Sequence, residues 1–310
     1  MRVLYYAPDD SAQHWVPELQ AALQAAGLPA QVQAWERGMP TADFCVVWKP
    51  PQAMLDEQHS AKAYFVTGAG VDSLLTLRFP PRLPVIRLDD AGMAVQMAEY
   101  VTQAVVRYFR GLDSAEATMR AGQWQLPPVR SRADFAVGVL GLGVLGARVA
   151  QALATFEFPV LGWSRSPKQV GGVRTFHGIA QLPAFLQQVQ CVVCLLPLTP
   201  ETDGLLNAER LAHMPRGSYL INVARGAHVV DADLLAALDS GQLAGATLDV
   251  FRTEPLPPEH AFWGHPRLTL TPHTSARTLR SESIAQIVHK MQAVLHGQAV
   301  VGVVDPNKGY

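Results

Sequence analysis

The sequence predicts an α/β protein built from two doubly wound parallel sheets. Three observations carry this. Short apolar runs alternate with longer helical patterns along almost the whole chain, as expected for parallel strands joined by crossover helices. One such run leads through a glycine-rich turn into a helix. The chain has 310 residues, enough for about two domains with a sizeable core.

The first strand is read at Val3-Leu4-Tyr5-Tyr6, and the helix that follows, Pro17 to Ala26, stops at Gly27. Further strands are expected at Phe44 to Trp48, Ala63 to Val66 and Val85 to Leu88. A long helical pattern covers Gly92 to Arg110, followed by a loop-rich stretch, Gln123 to Arg132, with Pro127-Pro128. The alternation restarts at Asp134, with strands near Val160, Val173, Val192, Tyr219, Thr247 and Leu268. A last helix, Leu279 to His296, precedes a short tail. The domains are expected to be interleaved: residues 1–92 with 277–310 form one, and residues 93–276 the other.

Composition excludes several function classes. The chain has 25 basic and 26 acidic side chains and a formal net charge of -1. It lacks the basic field of a nucleic-acid binder. Charged residues make up 16%, below a typical value of about 25%. Together with 49% hydrophobic residues, this suggests extensive interior or a partner-covered face, not disorder. No signal peptide is read at the N-terminus. No uncharged apolar stretch reaches the ~20 residues of a membrane helix. Three cysteines, Cys45, Cys191 and Cys194, make no disulfide framework. A cytoplasmic location is the expectation.

Cys191-Val-Val-Cys194 is read as a buried strand, with no second cysteine pair to complete a zinc site. No metal site is expected. The remaining histidines show no metal-ligand spacing, and His228 is expected at the surface.

Phe135 to Leu140, then Gly141-Leu142-Gly143-Val144-Leu145-Gly146, then a helical stretch, is G-x-G-x-x-G between strand and helix. The first glycine permits the turn, the second lets a pyrophosphate approach, and the third lets helix and strand pack closely. The phosphates would sit at a helix N-terminus, where free N–H groups and the dipole favour anions. The alternative is a glycine-rich turn alone. An NAD site normally has Asp or Glu at the end of the next strand. Here that place reads Ser164-Arg165-Ser166. Arg165 can pair with a 2′-phosphate and the serines can hydrogen-bond to it. The expected cofactor is therefore NADPH, with NADH accepted more weakly.

Three polar residues follow expected strands. Arg225 ends Tyr219 to Gly226, Glu254 lies in the loop after Leu248-Asp249, and His273 follows Leu268 to Pro272. In an open α/β sheet that edge binds ligands. Singly, each has a bland reading: a solvated charge, a cap on the proline turn, a satisfied loop histidine. Together, in this order and after a nucleotide loop, they resemble the D-isomer-specific 2-hydroxyacid dehydrogenase family. Val66-Thr-Gly68-Ala69-Gly70-Val71-Asp72 resembles that family's substrate-carboxylate loop. Trp48, Trp163-Ser164-Arg165, Ala224-Arg225-Gly226-Ala-His228 and the terminal Gly309-Tyr310 are closer to its glyoxylate/hydroxypyruvate reductase branch.

The resemblance implies a flavodoxin-like substrate domain and a Rossmann NAD(P)-binding domain, with the active site in the cleft between them. It implies NADPH-preferring reduction of small 2-keto acids, glyoxylate to glycolate and hydroxypyruvate to D-glycerate. His273 would donate the proton, Glu254 would orient it, and Arg225 would bind the substrate carboxylate and polarise the keto oxygen. Trp48, Ala69, Gly70 and Val71 would complete the substrate site, although an aromatic such as Trp48 is commonly core. Beyond the glycine turn and residues 164–166, the cofactor site would include Leu196, Pro197, Thr202, Val223, Ala224, Arg225, Asp249, His273 and Ser275. Ser275 is otherwise read as the cap of the next helix. Arg120 to Trp124 and the adjoining loop resemble the family's dimerisation arm, so a homodimer is expected. The competing readings are a reductase of other D-2-hydroxy acids and a cofactor-sensing dimeric binding protein on the same fold.

Overall fold

The computed structural model describes residues 1–9, 11–68, 70–71, 74, 76–80 and 83–305. Two compact units emerge: Met1–Met93 with Thr278–Tyr310, and Ala94–Arg277.

The first unit holds β1 (Arg2–Tyr6), α1 (Ala12–Ala25), β2 (Gln31–Ala34), β3 (Phe44–Val47), α2 (Gln52–Glu57), β4 (Ala63–Val66) and β5 (Val85–Ile86). These strands form one parallel sheet in the order β2-β1-β3-β4-β5, a flavodoxin-like arrangement. β3 and β4 are buried along their whole length, as a sheet covered on both faces requires. The sequence reading missed β2. It is an edge strand in which only Val32 is buried, so its pattern carries one apolar residue. The expected strand to Leu88 ends at Ile86, where the tail takes over through an antiparallel bridge to Val303.

The last helix, α9 (Arg280–Leu295), belongs to this unit. Its Lys290 is buried, 2.8 Å from Asp89, and donates to the carbonyls of Arg87 and Val301. A buried ammonium needs such full pairing. It pins the tail to the end of β5.

The second unit begins with α3 (Met93–Arg110) and α4 (Leu112–Arg120). It continues through β6 (Val137–Leu140), α5 (Val144–Thr155), β7 (Val160–Ser164), β8 (Arg174–His177), α6 (Leu182–Leu186), β9 (Cys191–Cys194) and α7 (Ala208–Ala212). It closes with β10 (Ser218–Asn222), α8 (Asp231–Asp239), β11 (Leu243–Leu248) and β12 (Leu268–Leu270). The parallel sheet runs β12-β11-β10-β9-β6-β7-β8. Strand order reverses between β6 and β9, which places the ligand crevice of a doubly wound sheet at their C-terminal ends.

Two cores sandwich this sheet. Helices α3 and α5 cover one face, with Val101, Val105, Val149 and Leu153 on Val137, Val139 and Val193. Helices α6, α7 and α8 cover the other, with Phe185, Leu211 and Leu234 on Leu140, Val192 and Leu220. Strand side chains alternate between faces. Cys191 therefore enters one core and Cys194 the other, both as free buried thiols. That disposition forbids a bond between them and fits the structural reading of the pair.

Candidate functional site

The glycine turn follows β6, an interior strand between β9 and β7. Gly141 adopts φ +100, and a Cβ there would lie 2.6 Å from the Leu195 carbonyl oxygen. A Cβ on Gly146 would lie 1.8 Å from Gly141 O. These two glycines are required by the packing of the turn onto its own sheet. A Cβ on Gly143 meets nothing within 4 Å. The middle glycine thus faces open space at the N-terminus of α5, flanked by exposed Val144 and half-buried Leu145, while Leu142 packs inward. Two tight glycines and one open one make a cradle that fits a pyrophosphate.

β7 ends at Ser164, and the following turn exposes Arg165 and Ser166. Ser164 is buried and donates its hydroxyl proton to Ser166 O at 2.7 Å. The serine thus shapes the turn that presents Arg165, and has no proton left to donate to a phosphate in this geometry.

Across the crevice, Leu196 is buried and Pro197 exposed. Thr202 donates to Pro197 O at 2.7 Å and accepts from Thr199 N at 2.8 Å, so this loop is braced from within. Val223 and Ala224 follow β10 and are buried.

The three strand-end residues follow three neighbouring strands, since β10 pairs with β11 and β11 with β12. Arg225 opens a short turn whose next residue is Gly226. A Cβ on Gly226 would lie 1.9 Å from the carbonyl carbon of Phe251. Only glycine lets the arginine turn press against the backbone that leads to Glu254. Asn222 secures that turn, donating to Arg225 O at 2.9 Å and accepting from Ala224 N at 3.2 Å.

Glu254 is fixed at both oxygens. One accepts Phe251 N–H at 2.9 Å and the other lies 2.8 Å from His273 Nδ1. A carboxylate only accepts, so Nδ1 carries the proton. Nε2 is then the ring atom left for chemistry, and the imidazole is exposed.

His273 itself has φ +54, a conformation uncommon outside glycine. Asp249 holds it there. The Asp249 main-chain oxygen accepts His273 N–H at 2.8 Å. Its carboxylate accepts Thr271 Oγ1–H at 2.5 Å, Thr274 N–H at 2.8 Å and Ser275 N–H at 2.8 Å. Asp249 is wholly buried, so its first duty is to grip the histidine loop. Ser275 does not cap the last helix, as the residue reading favoured: the N-cap of α9 is Leu279, and Ser275 is buried on Asp249.

His228 is also not where the residue reading put it. It is wholly buried. Nδ1 lies 3.0 Å from Arg225 O and Nε2 3.3 Å from Pro197 O. Burial alone pushes the imidazole down, but the Cys194 side chain and the two carbonyls outweigh it and hold the ring up at about 9. Sequence reasoning missed this ring, Asn222 and Thr271. The one available signal was their position at strand ends.

In the first unit, Trp48 and Gly68 meet closely: a Cβ on Gly68 would lie 2.5 Å from the indole ring. Gly70 is half-buried and Val71 buried. Ala69 and the tail residues Gly309-Tyr310 lie outside the described residues. Among the described residues, no group of three or more His, Cys, Asp or Glu could hold a metal ion. Among them, no helix is long and apolar enough to cross a membrane.

Comparison with known proteins points the same way. Residues 102–275 match the family model for the D-isomer specific 2-hydroxyacid dehydrogenase NAD binding domain. The chain is 46% identical to glyoxylate/hydroxypyruvate reductase A of Serratia proteamaculans over 317 aligned residues, covering all of both chains. Its structure superposes with TM-score 0.93 on a D-isomer specific 2-hydroxyacid dehydrogenase from Xanthobacter autotrophicus Py2 in complex with NADPH and MES. That pair is 42% identical, over 100% of this chain and 99% of the other. An NADPH-dependent glyoxylate/hydroxypyruvate reductase from Sinorhizobium meliloti, in complex with NADP and sulfate, superposes with TM-score 0.89 at 35% identity, again over 100% and 99%. With its sheet order, glycine cradle and His–Glu pair, this chain belongs to the D-isomer specific 2-hydroxyacid dehydrogenase family.

Proposed function

We propose that this protein is an NADPH-preferring reductase of small 2-keto acids, taking glyoxylate to glycolate and hydroxypyruvate to D-glycerate. The observation that carries the reading is the His273–Glu254 pair, 2.8 Å apart at the C-terminal edge of a glycine-cradle sheet. Full-length similarity to reductases of this description supports it.

The cradle at Gly141–Gly146 would hold the cofactor pyrophosphate at the N-terminus of α5, with Arg165 facing the 2′-phosphate. Leu196, Pro197, Thr202, Val223 and Ala224 would line the remainder of the crevice. NADPH supplies a hydride to the keto carbon. As the carbonyl electron pair moves onto oxygen, His273 Nε2 gives that oxygen a proton. Glu254 holds the ring in the right tautomer and stabilises its positive charge. Arg225 pairs with the substrate carboxylate and polarises the keto oxygen. In the first unit, the reading gives Gly70 and Val71 the substrate carboxylate, through main-chain N–H groups, and gives Trp48 a wall of the pocket.

A homodimer is part of the reading. Trp124, Leu126 and Val129 are 83%, 85% and 99% exposed, an apolar arm that a second copy would cover. Three free, buried cysteines fit a reducing, cytoplasmic compartment. The test is oxidation of NADPH in the presence of glyoxylate, hydroxypyruvate and pyruvate. Turnover of the first two supports the reading. No turnover of any keto acid overturns it in favour of a cofactor-sensing binding protein.

A further inference from the structure

The candidate proton donor is held by a hydrogen-bond chain that begins outside its own loop. Tyr100, in α3, places its hydroxyl 2.5 Å from Thr271 Oγ1, across a sequence separation of 171 residues. Thr271 Oγ1 lies 2.5 Å from Asp249 Oδ1. Both Asp249 oxygens receive main-chain N–H groups, from Thr274 and Ser275. Asp249 therefore acts as an acceptor, and Thr271 gives its single proton to it. Thr271 has only lone pairs left for Tyr100. The direction of the chain is fixed: the phenol donates to the threonine, and the threonine donates to the carboxylate.

The phenol is suited to this role across the ordinary pH range. Burial pushes Tyr100 up to about 12, and the nearby Asp249 adds to it. Each bond in such a chain polarises the next when water is largely excluded. Asp249 also binds His273 N–H through its main-chain oxygen. Segment 271–275 is thereby gripped at Thr271, His273, Thr274 and Ser275 by one aspartate, which Tyr100 orients through Thr271. A residue at φ +54 persists only where its surroundings over-determine it.

We propose that Tyr100 and Thr271 are positioning residues for proton donation: the Tyr100–Thr271–Asp249 chain keeps His273 in its left-handed conformation and on Glu254, with Nε2 turned out. This rests on the reading of His273 as proton donor. A loss of alignment of about 1 Å can cost roughly 100-fold in rate, so the effect should fall on kcat, with substrate binding nearly unchanged.

The test uses the full chain carrying 15N-labelled histidine, as the parent and as Tyr100→Phe, Thr271→Val and Thr271→Ser. The His273 Nδ1 signal is assigned by its loss in His273→Ala. Initial rates are measured with NADPH and glyoxylate. Thr271→Val should lower kcat about 100-fold and Tyr100→Phe about tenfold, each with KM within about twofold. Thr271→Ser, which keeps the hydroxyl, should recover kcat to within about threefold of the parent. The hydrogen-bonded Nδ1 proton signal should be lost in Thr271→Val and kept in Thr271→Ser.

An unchanged Nδ1 signal in Thr271→Val overturns the proposal, as does a Thr271→Ser enzyme as impaired as Thr271→Val. If Thr271→Val does not fold, Tyr100→Phe, which removes one oxygen, decides: an unaltered kcat and signal overturn the proposal. A parent that reduces no keto acid overturns the proposed function instead, and the histidine signal then decides the positioning role by itself.

Discussion

Glu254 accepts a hydrogen bond from His273 Nδ1 at 2.8 Å while its other oxygen is held by Phe251 N–H at 2.9 Å. The carboxylate is thus anchored before it orients the imidazole. This assigns the ring nitrogens different tasks and leaves Nε2 to act on substrate. His273→Ala should lower kcat by at least about 100-fold, the usual size of a general-acid contribution. NADPH affinity, measured by cofactor fluorescence, should stay close to that of the parent. Near-normal glyoxylate reduction by the variant would remove His273 from the mechanism.

The three glycines of the cradle should respond differently to the same methyl group. In Gly146→Ala the new Cβ would lie 1.8 Å from Gly141 O. Backbone cannot yield cheaply there, and a cost of about 3 kcal/mol or more is expected. In Gly143→Ala the Cβ enters open space, so urea unfolding should be nearly unchanged. The NADPH dissociation constant should instead rise about tenfold or more, because the methyl stands where the pyrophosphate must approach. If Gly143→Ala destabilised the fold and left cofactor affinity intact, the cradle would be assigned wrongly.

Arg165 is exposed on the turn that Ser164 shapes by bonding Ser166 O. Its guanidinium can pair bidentately with a 2′-phosphate. Arg165→Asp replaces that charge with a group suited to ribose hydroxyls. The ratio of kcat/KM for NADPH over NADH should fall by roughly 100-fold, about 3 kcal/mol of lost discrimination. A ratio that stays put would show that selectivity lies elsewhere in the crevice.

The parts legible in the sequence were those encoded locally. A strand, a spaced glycine turn and a helix lie within one short stretch, so Gly141 to Gly146 could be read directly. Arg225, Glu254 and His273 each follow an apolar run, and their order and the turn chemistry of Arg225-Gly226 made them visible. What stayed hidden depends on which strands are neighbours. His228 follows the same turn, but the sequence does not reveal that Pro197 O closes over it from the loop after β9. Thr271 has an ordinary place before Pro272, and its meaning comes from Tyr100 in α3. Gln31–Ala34 went unread because an edge strand with one buried residue has almost no alternation. Ser275 looked like a cap because its type suits one, yet α9 begins later, with Leu279 as its N-cap.

His228 gives a stability prediction with a definite sign. Both ring nitrogens face carbonyl oxygens, Arg225 O at 3.0 Å and Pro197 O at 3.3 Å. Carbonyls only accept, so the doubly protonated ring satisfies both, while a neutral ring leaves one nitrogen lone pair against an oxygen. The folded protein holds this histidine at about 9, against 6.5 for the ordinary side chain. A raised folded value means that the stabilisation is complete below 6.5 and is lost as pH rises through about 9. Across that window the parent should lose about 1.4 kcal/mol of unfolding free energy per pH unit relative to His228→Gln, which has no proton to release. Urea unfolding of both proteins at several pH values reads the difference directly, since other titrating groups are common to the two. Above about 9 the difference in slope should vanish. Equal slopes between 6.5 and about 9 would mean that the ring is neutral in the folded protein and that one of the two carbonyls is satisfied in another way.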